Sequence, residues 1–205
     1  MNMRKIVAVV ALALLAAGPG APAMAQAPAD NATIKDIRTK LLRLPYNGVF
    51  DFLAFSYANG SVTLSGYDYR GTLKADAERA VKQVARVDQV INNIEVLPVS
   101  PNDDDLRWKT YYAIYSDPFL SRYAPGGGML WGHRHDVPMG LFGSRRFPGA
   151  EPLGNYPIAI IVKGGHITLM GVVDSESDKT VAGMKANGVP GAFGVENELT
   201  VEKGE

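Results

Sequence analysis

Two pairs of heptapeptides at one fixed spacing decide the fold of this chain. Residues 60–66 read GSVTLSG, and residues 165–171 read GHITLMG. Residues 90–96 read VINNIEV and recur as VENELTV at residues 195–201, again 105 positions later. Because both pairs keep the same offset, duplication explains them better than chance does. The sequence therefore predicts two tandem copies of one fold.

The first copy has the predicted order helix, strand, strand, helix, strand. Apolar residues at three- and four-residue steps indicate an amphipathic first helix, and Asn59-Gly60 between two apolar runs is a strong hairpin signal. The predicted elements are a helix over 34–44 that Pro45 ends, strands over 50–57 and 62–69, a helix from a Thr72 cap to about Val84, and a strand over 90–96.

The second copy repeats this order after a short linker, residues 98–102. Its predicted elements are a helix from 103 to 116, strands over 157–162 and 166–173, a short helix over 177–185 with Ser175 as its cap, and a strand over 195–201. A hairpin followed by a crossover gives a small mixed sheet with one face for helices to cover. The predicted fold class is therefore α+β, with two tandem two-layer αββαβ sandwiches.

The composition excludes several classes of protein. The 205 residues include 21 basic and 21 acidic side chains, so nothing indicates the basic surface of a nucleic-acid-binding protein. There is no cysteine, which excludes disulfides, thiol nucleophiles and zinc–thiolate sites. The motifs G-x-S-x-G and H-E-x-x-H and the phosphate-binding loop are also missing. We predict neither an enzyme nor a cofactor.

The first 25 residues have the three parts of a secretory signal peptide. Basic residues precede an apolar run over 6–17, and the small-residue sequence AMA follows at 23–25. The run has 12 residues, whereas a bilayer span needs about 20. An uncleaved anchor or a buried helix is the alternative. We expect cleavage after Ala25, a periplasmic location because the leader has bacterial character, and no transmembrane segment in the mature chain.

The repeated residues resemble the BON domain of bacterial envelope proteins, whose pattern is G-x-[VI]-T-L-x-G, a helix, then V-x-N-x-[IL]-x-V. Two copies, over 33–97 and 103–203, behind a signal peptide are similar to osmotically inducible periplasmic proteins. The resemblance implies non-enzymatic attachment to phospholipid surfaces, in an osmotic-stress role. We interpret the distinctive motif residues as structural, serving turns, close approaches and backbone hydrogen bonds. They are Gly60, Gly66, Asn92, Gly165, Gly171 and Asn197.

A long insertion distinguishes the second copy. Pro45 and Gly60 are 15 positions apart, whereas Pro118 and Gly165 are 47 apart. The extra residues fall within 121–156, a glycine- and proline-rich stretch that predicts a flexible loop. Its aromatic and apolar side chains interleave with arginines, which suits a lipid interface with anionic phosphates. The predicted lipid- or partner-binding residues are Trp131, His133, Arg134, His135, Arg145, Arg146 and Phe147.

Two other interpretations of the insertion stay open. His133 and His135, with Asp136 or His166, form a weak metal-site pattern, since histidines at i and i+2 define no closed site. Alternatively, the loop folds over its own domain and covers an edge of the core.

The leading prediction is a non-catalytic envelope-binding protein attached to phospholipid. The alternative is a scaffold module that docks on an envelope protein complex.

Aromatic residues also mark the first helix of the second copy. Trp108, Tyr111, Tyr112 and Tyr115 recur at spacings that place most of them on one side of the helix. Such a stripe usually belongs to the core. A docking surface for the other copy or for the insertion is the alternative.

Overall fold

The structure, a computed structural model, describes residues 28–125 and 152–202. These residues form two compact units. The first unit comprises residues 28–45 and 53–97, and the second comprises residues 46–52, 98–125 and 152–202. Within the described ranges, no helix is long and apolar enough to cross a bilayer.

The first unit follows the predicted order of elements. They are α1 (Pro28–Leu42), β1 (Phe52–Ala58), β2 (Ser61–Asp68), α2 (Leu73–Val81) and β3 (Gln89–Val96). The sheet order is β1-β2-β3, and β3 runs parallel to β2 because α2 carries the chain back across the sheet. Strand β2 alternates buried Val62 and Leu64 with the more exposed Thr63 and Ser65, so one sheet face meets the helices.

Nine buried side chains from every element of this unit form its core. They are Ile37, Leu41, Phe55, Val62, Leu64, Ala77, Val81, Val84 and Ile94. The helical members recur at steps of three or four residues and the strand members at steps of two, as the periods of the two structures require.

The second unit has the same order with one added turn. Its elements are α3 (Pro101–Tyr115), a 3-10 turn (Ser121–Tyr123), β4 (Ile158–Lys163), β5 (His166–Val173), α4 (Glu176–Asn187) and β6 (Gly194–Val201). The sheet order is β4-β5-β6, with β4 antiparallel and β6 parallel to β5. The prediction of an α+β fold in two tandem units is confirmed.

The duplication extends to the register of the strands. In the first unit Leu64 pairs with Asn92, and in the second Leu169 pairs with Asn197. Leu169 lies 105 positions after Leu64, and Asn197 lies 105 positions after Asn92, the same offset that relates the sequence motifs. The repeated motif therefore specifies how the central strand pairs with the last one.

Two polar side chains fasten α3 to β4. Tyr115 is fully buried and its hydroxyl donates to the carbonyl oxygen of Ile158 at 2.6 Å. Arg107 is also fully buried; its guanidinium donates to the carbonyl oxygen of Val162 at 2.6 Å and pairs with Asp104 at 2.5 Å. A buried charge is tolerated when it is paired and hydrogen-bonded, so these contacts fix the helix on the strand.

Thr72 occupies the predicted N-cap position of α2, but the prediction that its side chain caps the helix is wrong. Thr72 makes no side-chain hydrogen bond to the helix. Instead Asp68, fully buried at the end of β2, accepts hydrogen bonds from the backbone N–H groups of Lys74 at 2.8 Å, Arg70 at 2.9 Å and Gly71 at 2.8 Å. A carboxylate is a stronger acceptor than a hydroxyl and suits the positive end of a helix, which explains the substitution.

Other predicted boundaries shift by a few residues. Helix α3 begins at Pro101, inside the predicted linker, because Ser100 accepts a hydrogen bond from the Asp103 N–H at 3.2 Å and proline suits a first helical turn. The predicted Ser175 cap of α4 is confirmed by the same geometry, with the Asp178 N–H as donor at 3.2 Å. Helix α2 ends at Val81, three residues before the predicted end.

Residues 46–52 lie in the first repeat of the sequence but pack in the second unit. The N–H of Val49 donates to Pro152 at 3.1 Å, and the carbonyl oxygen of Val49 accepts from the N–H of Ile160 at 2.8 Å. Ile160 belongs to β4, an outer strand of its sheet. This segment therefore covers part of a strand edge that would otherwise present unpaired backbone groups. The predicted strand over 50–57 accordingly starts late, at Phe52.

Candidate functional site

The residues predicted to bind lipid or a partner lie outside the described ranges. This applies to Trp131, His133, Arg134, His135, Arg145, Arg146 and Phe147, and also to Asp136 and the signal peptide. Both ends of the insertion are described, as residues 121–125 and 152–156. The two ends show how the second unit holds the insertion.

The leading end of the insertion is tied to α4 through Tyr123. Its hydroxyl donates to the buried carboxylate of Asp178 at 3.0 Å and accepts from the Asp174 N–H at 2.8 Å. Arg122 pairs with the same Asp178 carboxylate, and Ser175 donates to it at 2.7 Å. Burial raises the pKa of Tyr123, so its hydroxyl stays protonated as a donor. Residues 121–123 therefore belong to the folded unit.

The trailing end packs on α3 and on segment 46–52. The Tyr156 ring lies edge-on to Tyr115, with ring centres 5.2 Å apart. Leu153 forms a strand-like bridge with Gly48. The carbonyl oxygen of Asn47 accepts a hydrogen bond from the Gly154 N–H at 2.8 Å.

The two ends of the insertion also meet. A Cβ built on Gly154 would lie 3.4 Å from Cγ of Pro125, which is ordinary van der Waals contact. The two described ends of the insertion therefore lie close together on the second unit. This arrangement lets an insertion vary without altering the two-layer fold that carries it.

The aromatic stripe of α3 divides between core and surface. Tyr111 and Tyr115 are buried, as the core interpretation predicts, whereas Tyr112 is 36% exposed. Phe50 from segment 46–52 packs edge-on against Trp108 and Tyr111, with ring centres 5.5 and 6.4 Å apart. Segment 46–52 and the trailing end of the insertion thus both pack against the aromatic stripe.

The two motif asparagines have the backbone role predicted for them. Asn92 donates to the carbonyl oxygen of Lys74 at 2.9 Å and accepts from the Ile94 N–H at 3.2 Å. Asn197 donates to Lys179 at 2.7 Å and accepts from Leu199 at 3.3 Å. Each side chain therefore bridges a helix to the strand that follows it.

The four motif glycines all have positive φ, from 78° at Gly60 to 128° at Gly171, with Gly165 at 80° and Gly66 at 123°. At Gly171 a Cβ would lie 2.0 Å from the carbonyl oxygen of Pro157. At Gly165 the obstruction would be the Phe193 ring, 2.6 Å away. The structural interpretation of these glycines therefore agrees with their geometry.

His166, the fourth residue of the metal hypothesis, lies on the surface. Its ring lies edge-on to Phe193, with centres 6.2 Å apart. Across the described parts of the chain, no three His, Asp or Glu side chains are grouped to hold a metal ion. His133, His135 and Asp136 lie beyond those parts, so that hypothesis stays a prediction.

A model of the BON domain matches residues 29–98 and 145–203, which together make up more than half of the chain. The chain belongs to the BON family. Its two BON units account for the duplicated motifs and for the equal registers of the two sheets. The BON family is generally non-catalytic. No curated protein matches the sequence.

Two solved structures similar to this chain are of CdsD, a structural protein of the type III secretion system of Chlamydia trachomatis. One, a C-terminal domain, has 14% identity, covers 88% of this chain and 100% of its own, and has a TM-score of 0.26. The other has 15% identity, covers 85% of this chain and 94% of its own, and has a TM-score of 0.25. Scores this low bear neither on the arrangement of the BON units nor on their function.

Sequence reasoning missed one prominent surface residue of the second BON unit. Phe193 is 80% exposed and lies 105 positions after Asp88 of the first unit. Each of the two residues lies beside a motif glycine. The N–H of Phe193 donates to the carbonyl oxygen of Gly165, and the N–H of Asp88 donates to that of Gly60, both at 2.8 Å. The 105-residue repeat also relates Asp88 to Phe193, two positions before the matched stretches 90–96 and 195–201. This change from aspartate to phenylalanine is the sequence signal that could have identified Phe193.

Proposed function

We propose that this protein is a non-catalytic periplasmic binding protein that attaches to anionic phospholipid surfaces through the insertion of its second BON unit. The observation that supports the proposal is the anchoring of the insertion at both ends. Tyr123 is bonded to Asp178 on one side and Tyr156 packs on Tyr115 on the other. Both described ends of the insertion are thus held by the folded second unit.

The chemistry of the insertion suits a charged membrane surface. Trp131 and Phe147 can enter the interface between lipid headgroups and chains, while Arg134, Arg145 and Arg146 meet phosphates. Each arginine near an anionic surface contributes about 1 kcal/mol, and salt weakens that contribution. Membership of the BON family favours an envelope surface as the partner.

The test is co-sedimentation of mature protein, residues 26–205, with neutral and anionic vesicles at low and high salt. The main variant replaces residues 126–151 by a short Gly-Ser linker. Because Pro125 and Gly154 lie close together, a short linker can join the two ends, and Tyr123 and Tyr156 stay in place. We expect salt-sensitive binding to anionic vesicles that the replacement abolishes.

A charge-matched pair of variants refines this test. One changes Arg134, Arg145 and Arg146 to alanine. The other changes to alanine three exposed basic residues of α1 and the turn after it, Arg38, Lys40 and Arg43. We expect the first to lower vesicle binding and the second to leave it unchanged. Equal binding by all forms would move the lipid site to the common BON fold. A stable envelope protein partner without vesicle affinity would favour the scaffold alternative.

A further inference from the structure

An open cleft of about 390 Å³ lies in the second unit, where the start of α3, the β4–β5 hairpin and the loop after α4 meet. This volume is within the range of small-molecule sites. Polar side chains of α3, two hairpin glycines and one aromatic ring border the cleft. Those that matter here are Asn102, Asp105, Lys109, Gly164, Gly165 and Phe193.

The aromatic wall of the cleft is held in position although most of it is exposed. The backbone N–H of Phe193 donates to Gly165, and the ring rests where a Gly165 Cβ would be. The His166 ring supports it from the side, at 6.2 Å between centres. With 80% of its surface exposed, Phe193 presents an apolar face that no described residue of the second unit covers.

The charges of the cleft are largely satisfied within the protein. Both oxygens of the buried Asp103 carboxylate accept backbone hydrogen bonds, from Gly164 at 3.0 Å and Gly165 at 2.8 Å. Asp105 and Lys109 form an exposed ion pair at 2.7 Å. The cleft therefore carries net negative charge from Asp103 and has no unpaired cation along its described wall. An anionic ligand would meet repulsion here.

We propose that this cleft binds a neutral saccharide. A sugar ring offers hydroxyls that can bond to Asn102, Asp105 and Lys109, and a face of polarised C–H groups that packs on the negative face of the Phe193 ring. Because Asp105 and Lys109 are already paired with each other, a neutral ligand does not require a charge to be buried without compensation. The described residues that line the cleft lie outside positions 121–156, and the saccharide proposal does not depend on the proposed lipid attachment.

The first unit provides an internal comparison for this site. At the position of Phe193 it has Asp88, whose carboxylate lies against Gly60 as the phenyl ring lies against Gly165. The backbone hydrogen bond is the same, at 2.8 Å in both units. The fold thus accepts aspartate at this position, and phenylalanine adds an aromatic surface rather than support for the fold.

The experiment is an NMR titration of full-length mature protein with two neutral probes, tri-N-acetylchitotriose and maltotriose, and with inorganic phosphate as the anionic control. We expect a saccharide to shift the amide signals of Gly164, Gly165 and Gly191, with a dissociation constant of about 1 mM or lower. Phosphate should leave these signals in place. Co-sedimentation with insoluble cell-wall glycan then distinguishes a polymeric source, which pellets the protein, from a free oligosaccharide, which does not.

Two exposed phenylalanines of the second unit give matched variants. Phe193→Ala and Phe193→Asp should weaken saccharide binding about tenfold or more, whereas Phe119→Ala, 66% exposed and outside the cleft, should not change it. Signals that respond to neither saccharide, or respond equally in the Phe193 variants, overturn the proposal. Vesicle binding should be unaffected by Phe193→Ala, so failure of the saccharide site and failure of the lipid proposal are separate results.

Discussion

The hairpin tips of the two BON units have the same backbone and different surfaces. Gly60 and Gly165 have φ values of 78° and 80°, and the carbonyl oxygen of each accepts a hydrogen bond from a residue in the loop after the second helix of its unit. That residue is a charged Asp88 in one unit and an exposed Phe193 in the other. The motif therefore determines the path of the chain, and the side chain placed against the glycine determines what the surface can bind.

The same division separates the asparagines from their neighbours. Asn92 also donates to the carboxylate of Glu78 at 3.0 Å. In the second unit the equivalent position is Gly183, where a Cβ would lie 2.7 Å from the Asn197 side chain. The shared part of each site is the bridge to the backbone, and the side chain beside it has diverged.

The largest effect is expected at segment 46–52, which breaks the symmetry of the two units. Phe50→Ala removes a ring that is 1% exposed and packs on Trp108 and Tyr111, so we expect a loss of about 3–5 kcal/mol from the free energy of unfolding. Hydrogen exchange should show the loss at the amide of Ile160. Loss of protection confined to the first unit would show that the segment belongs there instead.

A pair of glycines tests the hairpin of the second unit. Gly171→Ala combines φ of 128° with a clash against the Pro157 carbonyl, and should cost about 3 kcal/mol or more. Gly164→Ala has φ of 59° and no atom within 4 Å of its Cβ, so the cost should be about 1 kcal/mol. Urea denaturation gives both values. Equal costs would mean that backbone strain alone, and not the close approach, requires glycine at 171.

The asparagine bridges should be equivalent in the two units. Asn92→Ala and Asn197→Ala each leave a helix carbonyl and a strand N–H without their partner, and should each cost about 1–3 kcal/mol in urea denaturation. Asn93→Ala, exposed on the same strand as Asn92, is the control and should stay within about 0.5 kcal/mol of the parent. If only one of the two substitutions lowered the free energy of unfolding, the asparagine of the other unit would not contribute to stability.

The smallest expected effect is a pH-dependent contribution of Asp117 to stability. Burial raises the pKa of Asp117, but hydrogen bonds from Lys185 at 2.9 Å and from the Phe119 and Leu120 N–H groups outweigh burial and hold the pKa below its ordinary 3.8. A lowered pKa gives stability that is present above 3.8 and is lost as pH falls through the folded-state pKa. Asp117→Asn should therefore cost about 1 kcal/mol at neutral pH, and the cost should shrink as the pH falls through the folded-state pKa, below 3.8. Urea denaturation over a series of pH values, from neutral to acidic, measures this change, and a cost independent of pH would assign the effect to packing.

Features that the sequence repeats could be predicted from it. The offset of 105 positions predicted the elements, the parallel pairing of the last strand, and the roles of Asn92 and Asn197. Local patterns suffice here, because hairpin turns, strand alternation and helix periods are properties of short stretches. The Ser175 cap is of the same kind, since its partner is three residues away.

Contacts between distant residues could not be predicted in this way. Asp68 replaced Thr72 as the cap of α2 because a buried carboxylate reaches six residues along the chain. Tyr123 donates a hydrogen bond to Asp178 across 55 positions, and no periodic pattern in the sequence predicts such a pair. For the candidate lipid site, the sequence supplied the residue types of the insertion. The structure added the two anchored ends, which composition does not reveal.

The placement of residues 46–52 has a consequence for the order in which the chain folds. Asn47 contacts Asn155 across 108 positions, so this contact raises the contact order of the fold and cannot form until residue 155 of the 205 has been synthesised. During synthesis the first unit can form its local helices and hairpin early, while the segment between α1 and β1 remains without its partner strand. We expect β4 to be completed late, and a fragment beginning at residue 98 to expose an outer strand prone to self-association.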